Sequence, residues 1–268
     1  MGDMTAVVTG ANRGIGRAVA AGLLATGHDV VLVARDRAAG ERAVAELGGG
    51  RLVVGDLSDL RAVRATAGAL REACPRLDVL VHNAGVWPGR RVLNGDGLEQ
   101  AFATNHLAPF VLNLELEPLL RASGTRVVQV SAGLYVKGRA DPDRTPTGED
   151  FHPMRTYADT KLCNVMMLPL WADRWRGTGV TIDAVHPGVV RTGLGDRAGV
   201  PGALLRAVKL LWRPPATGAR PIVRLAVEDR GTGRYFHLDE QTSLDPPATD
   251  AALARRLWDQ ALKYGSAT

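Results

Sequence analysis

The chain has 268 residues, of which 46% are hydrophobic and 23% charged, which excludes wholesale disorder and gives enough length for one sizeable α/β core. Its 33 Lys and Arg against 28 Asp and Glu leave a net charge of +5. The arginines are scattered and only 5% of residues are aromatic, so no nucleic-acid partner is expected.

In chain order, short β-branched runs alternate with longer helical patterns. Thr5–Thr9 reads as a strand, and Ile15–Ala25 as a helix stopped by Gly27. Asp29–Ala34 is an apolar strand, Ala38–Leu47 a helix ended by Gly48–Gly50, Arg51–Val54 a strand and Leu60–Cys74 a helix. Asp78–His82 reads as a strand, Leu98–Ala122 as a long helical stretch, Thr125–Ser131 as a strand, Thr156–Trp175 as a helix and Thr181–His186 as a strand. Continuous apolar strands between helices imply strands buried on both faces, hence a parallel sheet. Right-handed crossovers make it doubly wound, and with no linker or repeat one domain spans 1–268.

Two stretches interrupt the alternation. Gly133–Arg155 is polar, rich in Pro, Asp and Arg, and too long for a mere connection, so a functional insertion is expected there. Gly193–Pro215 holds an apolar, helix-like run with Arg206, Lys209 and Arg213, and it follows a strand end. It reads as a substrate lid; a core or subunit-interface helix, or a helix resting on a membrane surface, are the alternatives. Cys74 and Cys163 are too few for a disulfide scaffold or structural zinc and are read as buried reduced thiols in helices. No apolar run approaches the ~18–20 residues of a membrane span. A strand beginning at Thr5 leaves no room for a secretory leader, and Ala6 breaks the N-myristoylation pattern, so a cytoplasmic enzyme is expected.

The first strand is followed by TGANRGIG, Thr9 to Gly16, with Gly10, Gly14 and Gly16 at the turn into a helix. Glycines there let the backbone approach a pyrophosphate, which the helix N–H groups and dipole attract. The second strand ends at Ala34-Arg35, where NAD-selective folds usually place an acidic residue for the ribose hydroxyls. With Arg13 in the turn, Arg35 instead offers a second guanidinium to a 2′-phosphate, which favours NADP(H). YADTK places Tyr157 and Lys161 four residues apart on one helix face. An ammonium beside a phenol favours the phenolate, making the pair a credible acid/base for a carbonyl oxygen.

Taken in order, TGANRGIG, Asp56-Leu57, HNAG (His82–Gly85), Asn105, YADTK and HPGVVRT (His186–Thr192) resemble the short-chain dehydrogenase/reductase family along essentially the whole chain. The tail GRYFHLD (Gly233–Asp239) with ALARRLWDQAL (Ala252–Leu262), and the long loop before Tyr157, are similar to its retinol-dehydrogenase-like branch. The resemblance implies an α/β, single-domain, Rossmann-like doubly wound sheet that binds a nicotinamide cofactor. It implies Tyr157 as catalytic acid/base, Lys161 on the nicotinamide ribose lowering the Tyr157 pKa, and Asn105 organising a water that reaches Lys161. Gly10, Asn12, Gly14, Ile15 and Gly16 would hold the pyrophosphate side, and Arg13, Arg35, Asp56 and Leu57 the adenosine side. Asn83, Ala84 and Gly85 would line the crevice, with Pro187, Gly188, Val190 and Thr192 near the nicotinamide carboxamide. His82 stands where the family usually has Asn and is given no catalytic role. The family often forms homodimers or homotetramers, yet this chain shows no interface signature.

One departure matters. The family's V-S-S pattern aligns Ser131 with its first serine and Ala132 with its second, the one that holds the substrate carbonyl. Ser131 is the remaining serine of the catalytic set, with Tyr135, Thr156 or a water as substitutes for the lost hydroxyl. The expected activity is an NADP-dependent oxidoreductase interconverting a carbonyl and an alcohol on an apolar substrate such as a retinoid, steroid or polyketide-like ketone. The alternatives are an NADP-binding protein with little or no turnover, or an isomerase, epimerase or dehydratase.

Overall fold

The computed structural model describes residues 4–190, 213–228 and 231–266. Strands β1 (Thr5–Thr9), β2 (Asp29–Ala34), β3 (Arg51–Val54), β4 (Val79–His82), β5 (Arg126–Val130), β6 (Thr181–His186), β7 (Arg234–His237) and β8 (Glu240–Thr242) form one sheet. Their order is β3-β2-β1-β4-β5-β6-β7-β8. The first seven are parallel, and β8 returns antiparallel to β7.

The apolar runs are continuous because both faces of the sheet are covered. Val7, Val31 and Val33 face one core, and Ala6, Val8, Val30 and Leu32 face the other. Helices α1 (Gly14–Ala25), α2 (Arg37–Leu47) and α8 (Pro215–Val227) cover the second face, with Leu23 and Ile222 fully buried there. Helices α3 (Leu60–Ala73), α4 (Ala108–Glu115), α5 (Glu117–Ser123), α6 (Pro153–Met166), α7 (Leu168–Arg174) and α9 (Ala251–Ser266) lie over the first. The Trp171 ring sits 4.9 Å from Phe110 and 4.7 Å from Trp258, fastening α9 across α4 and α7. Truncating such a buried Trp to Ala typically costs about 3–5 kcal/mol. Among the described residues no helix is long and apolar enough to cross a membrane.

The two longest expected helices are broken. Leu98–Ala122 divides into a π-helix (Phe102–Leu107), α4 and α5, with Pro118 in the first turn of α5. Thr156–Trp175 starts earlier, at Pro153, and divides at Met167 ahead of Pro169. Cys163 lies in α6, whereas Cys74 follows the end of α3; both are free and buried. The insertion before α6 is ordered by backbone bonds to its neighbours: Glu99 N–H donates to Pro146 O at 2.7 Å, and Arg139 N–H to Asp159 Oδ1 at 2.5 Å. It carries a 3₁₀-helix, Gly133–Lys137. The expected lid, Gly193–Pro215, lies mostly outside the described residues.

Candidate active site

The chain runs from β1 outward through β2 and β3, then crosses back to β4 on the other side of β1. Connections diverge at that reversal and leave a crevice beyond the strand C-termini. Here it is a cleft of about 880 Å³, in the range of ligand pockets.

One half is built by the glycine turn. The Thr9 hydroxyl accepts from the N–H groups of Asn83 and Ala84, both at 3.0 Å, which locks the end of β1 to the end of β4. Asn83 Nδ2 in turn donates to Thr9 O at 2.8 Å and to Gly10 O at 3.3 Å. Gly10 and Gly14 have φ of 65° and 57°, the left-handed region that disfavours a side chain. A Cβ on Gly16 would lie 2.4 Å from both Gly10 O and Asn83 Nδ2. Asn83 therefore shapes the turn as well as lining the cleft.

Helix α1 opens at this turn with no side-chain cap and no acidic residue in its first turn. Helices α2 and α3 are instead capped, by Asp36 on Ala39 N–H and Asp59 on Ala62 N–H, both at 2.8 Å. The free N–H groups and positive end of α1 thus suit an anion. Asn12, Arg13 and Ile15 border it. Arg13 in the glycine turn and Arg35 just past the end of β2 are exposed and both line the cleft, and neither pairs with a carboxylate among the described residues. Asp56 and Leu57 line this part too, with Asp56 Oδ1 accepting from Ser58 N–H at 3.0 Å. The cradle fits a dinucleotide: an uncapped helix start for its phosphates and two unpaired guanidiniums at the adenosine end.

The other half holds Tyr157 and Lys161, one turn apart on α6 and almost fully buried. Lys161 Nζ donates to Val130 O at 3.0 Å and stands 5.7 Å from the centre of the phenol ring. Burial pushes the Lys161 amine down to about 8 and pushes the Tyr157 phenol up. The rise in the phenol comes from desolvation of the phenolate.

Asn105 does not line the cleft. Its side chain accepts from Val86 N–H at 2.7 Å and donates to Val86 O at 2.9 Å, clamping the segment after HNAG. Its backbone carbonyl, in the π-helix, accepts from Asn164 Nδ2 at 2.8 Å. Ala84, Gly85, Pro187, Gly188 and Val190 line the crevice, while Thr192 lies outside the described residues.

Ser131 and Ala132 both border the cleft, but the Ser131 hydroxyl is buried without a partner, and Ala132 offers only a methyl. Of the three expected substitutes, the two side chains are bonded elsewhere. Tyr135 Oη accepts from Asp245 N–H at 3.0 Å, Thr156 Oγ1 accepts from His152 N–H at 3.1 Å, and neither residue lines the cleft. Among the lining residues that sequence reasoning missed are Trp87, two positions beyond HNAG, and His186, the last residue of β6. The position of His186 at a strand end facing the crevice is a signal that could have marked it; Trp87, in the loop after β4, had only its nearness to HNAG.

A family model described as short chain dehydrogenase matches residues 4–199. Retinol dehydrogenase 14 of Mus musculus is 37% identical, the match covering 97% of this chain and 85% of that protein. A Streptomyces sp. (strain C5) protein, provisionally named as the daunorubicin C-13 ketoreductase DnrU, is 35% identical over 95% of this chain and 90% of its own length. Among solved structures, an uncharacterized protein from Mycobacterium paratuberculosis superposes with a TM-score of 0.77 at 28% identity, covering 98% of this chain and 93% of that one.

Proposed function

The chain belongs to the short chain dehydrogenase family, in its retinol-dehydrogenase-like branch, and we propose that it is an NADP(H)-dependent enzyme interconverting a carbonyl and an alcohol on an apolar substrate. The observation that carries this is the sharing of one cleft by the uncapped start of α1 and the buried Tyr157–Lys161 pair. Phosphate cradle and proton donor thus face the same ligand.

The roles of the residues follow from their chemistry. The α1 N–H groups hold the pyrophosphate, and Arg13 and Arg35 hold a ribose 2′-phosphate. The nicotinamide, when bound, supplies or accepts the hydride at the carbonyl carbon. Tyr157 gives its phenolic proton to the oxygen in reduction and takes it back in oxidation; burial keeps the phenol protonated. Lys161 is tied to the end of β5 through Val130 O, which fixes its amine near the phenol. Val86, Trp87, Leu134 and Val189 give the cleft apolar walls that favour a bulky apolar substrate over a charged one.

The names of two relatives are in keeping with retinoid or polyketide-like ketones. The deciding measurement is NADPH consumption with a panel of aldehydes and ketones, wild type beside Tyr157→Phe. Turnover that vanishes in the variant supports the reading, and saturable NADPH binding with no turnover on any carbonyl overturns it. That second outcome favours an NADP-binding protein without redox activity, a reading supported by the Ala132 methyl and the sealed Ser131 hydroxyl.

A further inference from the structure

Reduction of a carbonyl places negative charge on its oxygen, and a second donor beside the proton-giving acid stabilises that charge. Near Tyr157, Lys161 Nζ is already bonded to Val130 O, Ser131 Oγ is buried, and Ala132 has no polar atom. We propose that the imidazole of His186 is this donor and touches the substrate carbonyl oxygen through Nε2–H.

Four observations place it there. First, His186 lines the cleft and shares its sheet face with Ile182 and Ala184, whose side chains join the core that also holds Leu162 of α6. It therefore projects toward the helix that carries Tyr157 and Lys161. Second, its ring lies against the loop that follows Ala132: a Cβ on Gly133 would stand 3.2 Å from both Nε2 and Cδ2. A side chain at position 133 would press on the ring and need it to shift by a few tenths of an ångström. Third, Nδ1 is buried with no hydrogen-bond partner. A bare lone pair costs less than a bare N–H, so the proton resides on Nε2, the nitrogen at Gly133. Fourth, the ring is stacked on His237, with centroids 5.0 Å apart and planes at 15°, which holds its orientation before any ligand arrives. Burial, His237 and Lys161 push the imidazole down to about 4, so it is a neutral single donor at neutral pH.

This inference rests on the proposed carbonyl chemistry. The test uses NADPH and an aromatic α-diketone with the wild type, His186→Leu, Ala132→Ser and the double variant. His186→Leu is expected to lower kcat and kcat/KM together by about 10²-fold, as for loss of one oxyanion donor, and to leave KM and NADPH affinity by fluorescence titration unchanged. Ala132 lines the same cleft and aligns with the serine that holds the carbonyl in the family, so Ala132→Ser in the His186→Leu background is expected to restore about tenfold of the loss. Undiminished turnover in His186→Leu, a loss confined to KM or to NADPH affinity, or a double variant no faster than His186→Leu each overturns the proposal while the carbonyl reading stands. A wild type that oxidises no NADPH with the diketone overturns both.

Discussion

The indole of Trp87 lies face to face with the phenol ring of Tyr157, centroids 4.8 Å apart and planes 16° from parallel. Its Nε1–H donates to Pro153 O at 2.7 Å, so the same side chain grips the first turn of α6. A loop residue thus fixes both the helix start and the ring of the acid that the helix carries. Aromatic pairs of this kind contribute about 0.5–1.5 kcal/mol beyond area burial. Trp87→Ala is therefore expected to slow turnover about two- to tenfold and to lower Tm, whereas Trp87→Phe keeps the stack and most of the rate. Equal steady-state rates for Trp87→Ala and wild type would show that the stack does not orient the phenol.

Tyr157→Phe retains the ring and its contact with Trp87 and removes only the hydroxyl, with the proton it gives. Turnover should fall by about 10²–10⁴ with NADPH affinity unchanged. Full activity on a good substrate would mean that another group supplies the proton.

The Lys161 amine, held down to about 8, carries its charge below that pH and loses it above. If the ammonium helps the Tyr157 proton leave, the reduction rate is full below about pH 8 and declines as pH rises through it. Lys161→Arg stays charged throughout this range and should lose the inflection, whatever its absolute rate. A pH–rate profile with the same inflection in both proteins would assign the titration elsewhere.

What could be read in the sequence follows from what single residues demand of the backbone. Gly10, Gly14 and Gly16 announced the turn because a left-handed φ and a 2.4 Å approach leave no other choice. Tyr157 and Lys161 were visible because helical spacing alone puts them on one face. The π-helix at Phe102–Leu107 was not, since it is set by tertiary bonds from Asn105 to Val86 and Asn164, which carry no local signature. Ser131 was read as the last residue of a strand and stands just past the end of β5, and the burial of its hydroxyl carries no local signature. Helix α8 was not read at all, and the segments of β7 and α9 entered only by resemblance, because Pro221 inside α8 and the short β7 and β8 blur both periodicities.

Two buried histidines outside the cleft are expected to make the fold acid-sensitive. His82 Nε2 pairs with Asn113 Oδ1 at 2.8 Å, and His106 Nδ1 with Asn164 Oδ1 at 2.9 Å. Burial pushes both imidazoles down to about 4 from the ordinary 6.5. Between those values the unfolded chain binds more protons than the folded one, so their contribution is full above pH 6.5 and is lost as pH falls toward 4. Each group steepens the loss by about 1.4 kcal/mol per pH unit. Urea midpoints should fall across this window, and less steeply in His82→Gln and His106→Asn, whose amides keep the bonding position without titrating. Slopes identical to wild type would place the acid sensitivity in other groups.

The cofactor prediction turns on Arg35 and on the carboxylate beside it. Asp36 follows β2 and lines the cleft, where an acidic side chain could hold ribose hydroxyls and select NADH. Its Oδ1 is instead the cap of α2, accepting from Ala39 N–H at 2.8 Å. Losing such a cap costs about 0.5–2 kcal/mol, which opposes its release to a ribose. Arg35 and Arg13 remain as the unpaired charges on that wall, so a 2′-phosphate is the ligand group that answers them. A charge-assisted bond is worth about 1.5–3 kcal/mol when shielded, and solvent screening of these exposed side chains places the expected effect near the lower end. Arg35→Ala should therefore weaken NADPH about tenfold and leave NADH nearly unchanged, with the double variant Arg13→Ala/Arg35→Ala erasing the preference. The NADPH advantage should also shrink as salt is raised, while NADH affinity moves little. Equal wild-type affinities for the two cofactors in a fluorescence titration would remove the 2′-phosphate from this site and leave the two arginines as solvated surface charges.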